Sequence, residues 1–237
     1  MRVDFHPVYD RDDPTRIPRL IEQLQRAWEG QPDLSLAALI GVLGNHGVGW
    51  GTTDNEAAGI LRELEKKHPS LLDAHPAAPY LIRTTSPGRL VSLVDGLAVV
   101  RSAADAGAMP GVWVFDSLRR TGPGRPLVVR DGEGIEHRLG VVKLVTRLNV
   151  DAGLGGLRVA DAGERRWCVT FSDGGRAVVG RRIRVWQPHR RDVSTAEHSW
   201  LQVTRCAEGG EFAFLPAGGG AEVVLGEVQR CVLIESD

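Results

Sequence analysis

The chain predicts an α+β fold, with an N-terminal three-helix module over residues 1–76 followed by a β-rich region of repeated hairpin units over residues 80–237. Three observations carry this. Apolar residues recur at helical spacing only in the first third of the chain. Beyond about residue 80 they alternate with polar ones or form short runs bounded by glycine, as strands do. The 29 glycines gather at turns rather than in a low-complexity tract, which suits many short strands.

Before the first helix stand Asp10, Asp12 and Asp13. Without a second ligand set or EF-hand spacing they predict no metal site, and Asp13, ahead of Pro14, is placed to cap the helix that follows. Ile17, Leu20, Ile21, Leu24 and Trp28 then mark one helical face, ended by Gly30 and Pro32. Ser35 opens a second helix with Leu36, Leu39, Ile40 and Leu43. A glycine-rich loop, residues 44–51, precedes a third, in which Thr53 and Glu56 have capping-box spacing. Ala57, Ile60, Leu61 and Leu64 form its face, and Lys66 and Lys67 suit its C-terminal dipole.

Residues 16–36, R-I-P-R-L-I-E-Q-L-Q-R-A-W-E-G-Q-P-D-L-S-L, resemble a pattern in small helical bacterial proteins of uncharacterised function. Arg, Ile, Leu-Ile, Leu, Ala-Trp, Pro-Asp and Leu fall at the same offsets, and Thr53-Asp54 is similar too. The resemblance, over residues 16–64, implies a helical module and brings no site residue. The same order of elements outlines a winged-helix DNA reader. The exposed positions of its third helix, Asp54, Asn55, Arg62, Glu63 and Glu65, are not the basic face that phosphate contact requires, so a small packed bundle is expected.

Residues 75–79, H-P-A-A-P, have linker composition. A two-residue turn at Asp95-Gly96 then joins residues 89–94 to 97–101 as a hairpin, although their near-continuous apolar character also suits a buried helix. Residues 112–115 form a short strand. The repeated unit follows: strand, glycine turn, strand, single glycine, strand. It occupies residues 127–145, 165–186 and about 212–234, with Gly140, Gly180 and Gly226 as the interrupting glycines. Residues 165–186 show it most clearly, because Trp167, Val169 and Phe171 alternate with polar positions before Asp173-Gly174-Gly175. A further division near residues 80–150 and 151–237 follows from this periodicity. Hairpins with a glycine kink before another strand resemble SH3-like and Tudor-like barrels, in which the kink lets one strand serve two sheet faces; one larger barrel or a sandwich would write a similar pattern.

With a formal net charge of -1, no global field draws the chain to nucleic acid or to an anionic membrane. No apolar run reaches the length of a membrane helix, and the N-terminus lacks the apolar segment of a signal peptide. The 3 cysteines, widely spaced and without a C-x-x-C, predict a reduced, cytoplasmic protein, although two could meet in space. The glycine loops at 44–51 and 153–156 lack the Gly-Lys-Ser/Thr of a phosphate loop. No cofactor is implied, and no metal or catalytic motif stands out among the 7 histidines.

The one suggestive cluster is Arg181, Arg182, Arg184, Trp186, His189, Arg190 and Arg191. Arginine forks match phosphate oxygens and an aromatic ring stacks on a base, so this stretch is a candidate nucleic-acid or nucleotide site; a solvated strand face, neutralised by Glu164, Asp173 and Asp192, would look the same. The expected role is a non-catalytic binding or regulatory protein. An enzyme with its site between the helical module and the β region, and a protein-interaction subunit, are the alternatives.

Overall fold

A computed structural model describes residues 12–150 and 153–236; Asp10 lies outside them. Three helices, α1 (Arg16–Glu29), α2 (Leu36–Asn45) and α3 (Asp54–Lys67), precede thirteen strands. Helix α1 packs on α3 through Ala27, Leu61 and Leu64, with Leu20, Leu24 and Ile60 half-buried around them. The apolar face predicted for α1 is only partly used, since Ile17 and Ile21 are more than half exposed. The small Ala27 lies at the contact instead, and the buried stripe is shifted toward it.

The caps expected for α2 and α3 form. Ser35 Oγ accepts from Ala38 N–H at 3.2 Å, and Thr53 and Glu56 make the reciprocal capping box of α3. Asp13 does not cap α1: the N-cap is Thr15, and the Asp13 carboxylate, two residues ahead of it, accepts from Thr15 N–H at 2.9 Å and pairs with Arg19.

The stretch just ahead of the linker read at residues 75–79 is partly strand-like. Leu72 and Thr121 exchange backbone hydrogen bonds, and Leu118 N–H donates to the Ala74 carbonyl. His68 Nδ1 lies 3.0 Å from the Val145 carbonyl oxygen. Segment 68–74 thus moors the helices to the first β unit.

That unit is a closed barrel of six antiparallel strands: β1 (Tyr80–Thr85), β2 (Arg89–Val94), β3 (Leu97–Ser102), β4 (Gly111–Leu118), β5 (Pro126–Asp131) and β6 (Glu136–Arg147). Asp95 and Gly96, at φ 48° and 72°, form the tight β2–β3 turn. Gly140, at φ 101°, divides β6. Residues before it pair with β5, and those from Val141 to Arg147 pair with β1. A Cβ there would lie 2.5 Å from the Thr85 carbonyl oxygen, so only glycine fits the kink.

The second unit is a curled sheet of seven strands: β7 (Arg166–Phe171), β8 (Arg176–Val179), β9 (Ile183–Pro188), β10 (Val193–His198), β11 (Trp200–Arg205), β12 (Glu211–Pro216) and β13 (Val223–Glu235). The order is β10-β9-β8-β7-β13-β12-β11. Its two edge strands are consecutive in the chain, separated by Ser199 alone. The sheet curls around Trp167, Phe171, Trp200, Phe212 and Phe214. Gly226 divides β13 as Gly140 divides β6: pairing is with β12 through Glu227 and with β7 from Val228. Gly180 differs. It lies in the turn joining β8 to β9, which pair with each other.

The near-continuous apolar runs of β2 and β3 have a structural cause. One face fills the barrel with Val91, Leu93, Ala98 and Val100. The other places Val94 and Val99 against Cys168, Val232 and Ile234 of the sheet. Ser92 Oγ, buried in this junction, donates to the Ile234 carbonyl at 2.6 Å.

Candidate functional site

At one end of the barrel–sheet junction is a cavity of about 460 Å³. From the barrel come Arg101 of β3 and the β3–β4 loop, whose lining residues Ala103, Asp105, Ala106, Ala108 and Pro110 are mostly small. The sheet supplies Glu164, Arg165 and Arg166 ahead of and into β7, then Arg181 and Arg182 in the β8–β9 turn, Arg184 and Trp186 of β9, and Glu197 of β10. Six guanidiniums therefore face three carboxylates, in a chain whose formal net charge is -1.

The inner end is organised by Glu235. One of its oxygens accepts from both terminal nitrogens of Arg101 at 3.1 Å. Arg83 and Arg166 lie 3.5 and 3.6 Å from the same carboxylate. The Arg101 side chain is 9% exposed, and its buried Nε has no hydrogen-bond partner among the described residues. Burial disfavours its charge and Glu235 offsets that. Gly180 makes room here, because a Cβ on it would lie 3.3 Å from Arg166 Cγ.

At the outer end Arg181 pairs with Glu164, while Arg182 and Arg184 each reach Glu197 at 2.6 Å. Hydrogen bonds from Arg184 and Arg182 hold the Glu197 carboxyl below its usual range. Arg181 and Arg182 are exposed, so such pairs hold them only weakly. Arg184 also donates to the Ala106 carbonyl, Arg176 to that of Pro110, and Trp186 Nε1 to that of Gly107 at 2.6 Å. These three side chains clamp the β3–β4 loop to the sheet.

The sequence cluster is thus split. Arg181, Arg182 and Arg184 line the cavity. Trp186 lines it as well, but it is buried, with its indole N–H committed to the loop. His189, Arg190 and Arg191 lie beyond it, in the exposed β9–β10 turn, where His189 Nε2 and Ser194 Oγ are 2.9 Å apart.

Arg101, Arg165 and Arg166 were missing from the sequence cluster. Arg165 and Arg166 are its near neighbours along the unit 165–186. Arg101 carried a usable signal, since an arginine closing an otherwise apolar strand requires a buried partner. Arg165 is further held over the Trp167 ring, 5.6 Å from its centroid, and donates to the Ala162 carbonyl.

A larger and more open hollow, of about 940 Å³, lies between residues 46–52 and α3. Its carboxylates are engaged locally, Glu56 in the capping box and Glu63 with Lys66. A Cβ on Gly44, Gly47, Gly49 or Gly51 would meet nothing within 4 Å, so these glycines serve no close backbone approach. Cys206 and Cys231 lie close enough for their thiols to influence each other, and all three cysteines are free thiols. Among the described residues no cluster of three or more His, Cys, Asp or Glu could hold a metal ion, and no helix is long and apolar enough to cross a membrane. No family model, curated protein or solved structure matches the chain.

Proposed function

We propose that this is a non-catalytic binding protein that receives an anionic ligand, of the nucleotide or nucleic-acid class, in the arginine-lined cavity between barrel and sheet. The observation that supports it is the excess of guanidiniums over carboxylates in one cavity of a chain with no net positive charge. Its volume of about 460 Å³ suits a small ligand or one segment of a larger one. The exposed pairs to Glu164 and Glu197 exchange readily for a ligand anion, because each contributes only about 0–1 kcal/mol.

A salt series of binding to labelled single- and double-stranded DNA, RNA and nucleotides tests this. Saturable binding that weakens steeply with salt, and is lost in Arg182→Glu, Arg184→Glu, supports the reading. Affinity unchanged by the double substitution removes the site, and no binding of any polyanion at low salt ends the proposal.

A second reading, a protein-interaction role, is favoured by Ile17, Ile21, Leu36 and Ile40, all exposed on the helical module, and by the fully exposed Trp50. Light scattering on a size-exclusion column tests its homomeric form, which a sharp monomer at high concentration excludes.

A further inference from the structure

Resting on the reading of the cavity as an anion site, we propose that its ligand is a small molecule carrying two linked phosphoryl groups, held by its diphosphate rather than by a stacked base.

The arginines form two groups that differ in burial. The inner group, Arg101 and Arg166, shares Glu235 with Arg83, so three guanidiniums meet one carboxylate. The outer group, Arg181, Arg182 and Arg184, meets two, Glu164 and Glu197. Of the other two lining charges, Arg165 is held against Trp167 and Asp105 by the Gly107 N–H, and they cancel. Arg83 does not line the cavity, so one charge is uncompensated at the inner end and one at the outer end. A single phosphate satisfies one end alone. A diphosphate offers one anionic group to each.

The inner end also holds a donor that the protein leaves unused, the buried Arg101 Nε.

A base has no platform. Single-strand binders place exposed aromatic faces along the groove. Trp186 is the one aromatic among the residues lining this cavity, and it is 2% exposed with its N–H bonded to Gly107. Recognition therefore depends on the anionic groups, and a nucleoside attached to them adds little.

Isothermal titration of the full chain at low salt, with inorganic pyrophosphate, ADP, orthophosphate and a single-stranded oligonucleotide, tests the proposal. Pyrophosphate and ADP are expected to bind one-to-one with affinities within about threefold of each other, and orthophosphate at least tenfold more weakly. Arg166→Gln and, at the exposed end, Arg182→Gln should each weaken pyrophosphate at least tenfold, while Arg190→Gln, Arg191→Gln leaves it unchanged. Because Arg182 is exposed, its variant keeps the test valid if Arg166→Gln fails to fold. Equal affinity for orthophosphate and pyrophosphate overturns the diphosphate assignment. Oligonucleotide binding that depends on Arg182, with no pyrophosphate binding, overturns it while sparing the broader anion reading. No heat with any of the four overturns both.

Discussion

Glu235→Gln is expected to be among the most damaging single changes outside the apolar cores, because it withdraws the carboxylate with which Arg101 pairs. The Arg101 and Glu235 side chains are 9% and 16% exposed, so water screens the pair poorly. Removing one partner of a buried ion pair leaves the other charge uncompensated, at about 3–5 kcal/mol. Glu235 also lies near Arg83 and Arg166, which are 52% and 46% exposed; those contacts add at most ~1 kcal/mol each and are largely screened. A loss of about 3–5 kcal/mol is a large part of the total stability of an ordinary domain, and for a chain of this size it lowers Tm by roughly 6–20 °C. Urea unfolding followed by tryptophan fluorescence measures it. Arg101→Met, Glu235→Met, which removes both charges and keeps comparable volume, should recover most of the loss. Pyrophosphate should raise the Tm of Glu235→Gln more than that of the wild type, because the inner end then holds one more unbalanced charge. A loss under ~1 kcal/mol in the single variant would refute the reasoning, since it would mean that water screens the pair as it does a surface bridge.

Three further outcomes follow from the fold. Gly140→Ala should destabilise more than Gly124→Ala by about 1–3 kcal/mol, the cost of overpacking against the Thr85 and Pro87 carbonyls; both glycines have positive φ, but only a Cβ at Gly140 meets backbone. Equal losses in urea would mean that the kink in β6 is not pinned by β1. Burial lowers the His68 pKa from 6.5, so the folded state favours its neutral form. This contribution to stability is present above pH 6.5 and is lost as pH falls through 6.5 toward the folded value; melting curves from pH 7.5 to 5.5 should show a fall that His68→Gln lessens. Cys168 is buried with its pKa pushed up to about 12, so maleimide labelling read by peptide mass spectrometry should leave it unmodified in the native protein and modify it in urea.

Much of the architecture was legible because local chemistry and tertiary structure agree. The capping box at Thr53, the turn at Asp95-Gly96 and the kinks at Gly140 and Gly226 each answer a local backbone requirement. Strand β10 was illegible for the opposite reason: as an edge strand it is exposed along nearly its whole length, so nothing forces polar and apolar residues to alternate. In β11 a register shift between Trp200 and Gln202 interrupts the alternation. The outer half of the site was readable as a run of arginines. Its inner half depends on β3 meeting β13, which brings Arg101 to Glu235 across 134 positions of chain, and no local pattern records that pairing. Arg190 and Arg191, near the cavity arginines in sequence, end outside the cavity because β9 carries the chain away before the turn.

Which arginines an anion touches is the most direct test of the cavity as its site. Labelling of arginines with a dicarbonyl reagent, with and without saturating pyrophosphate, reads this residue by residue by mass spectrometry. Protection of Arg166, Arg181 and Arg182, with Arg190 and Arg191 modified equally in both conditions, is the predicted result. Protection confined to Arg190 and Arg191, or none at the cavity arginines, would contradict it.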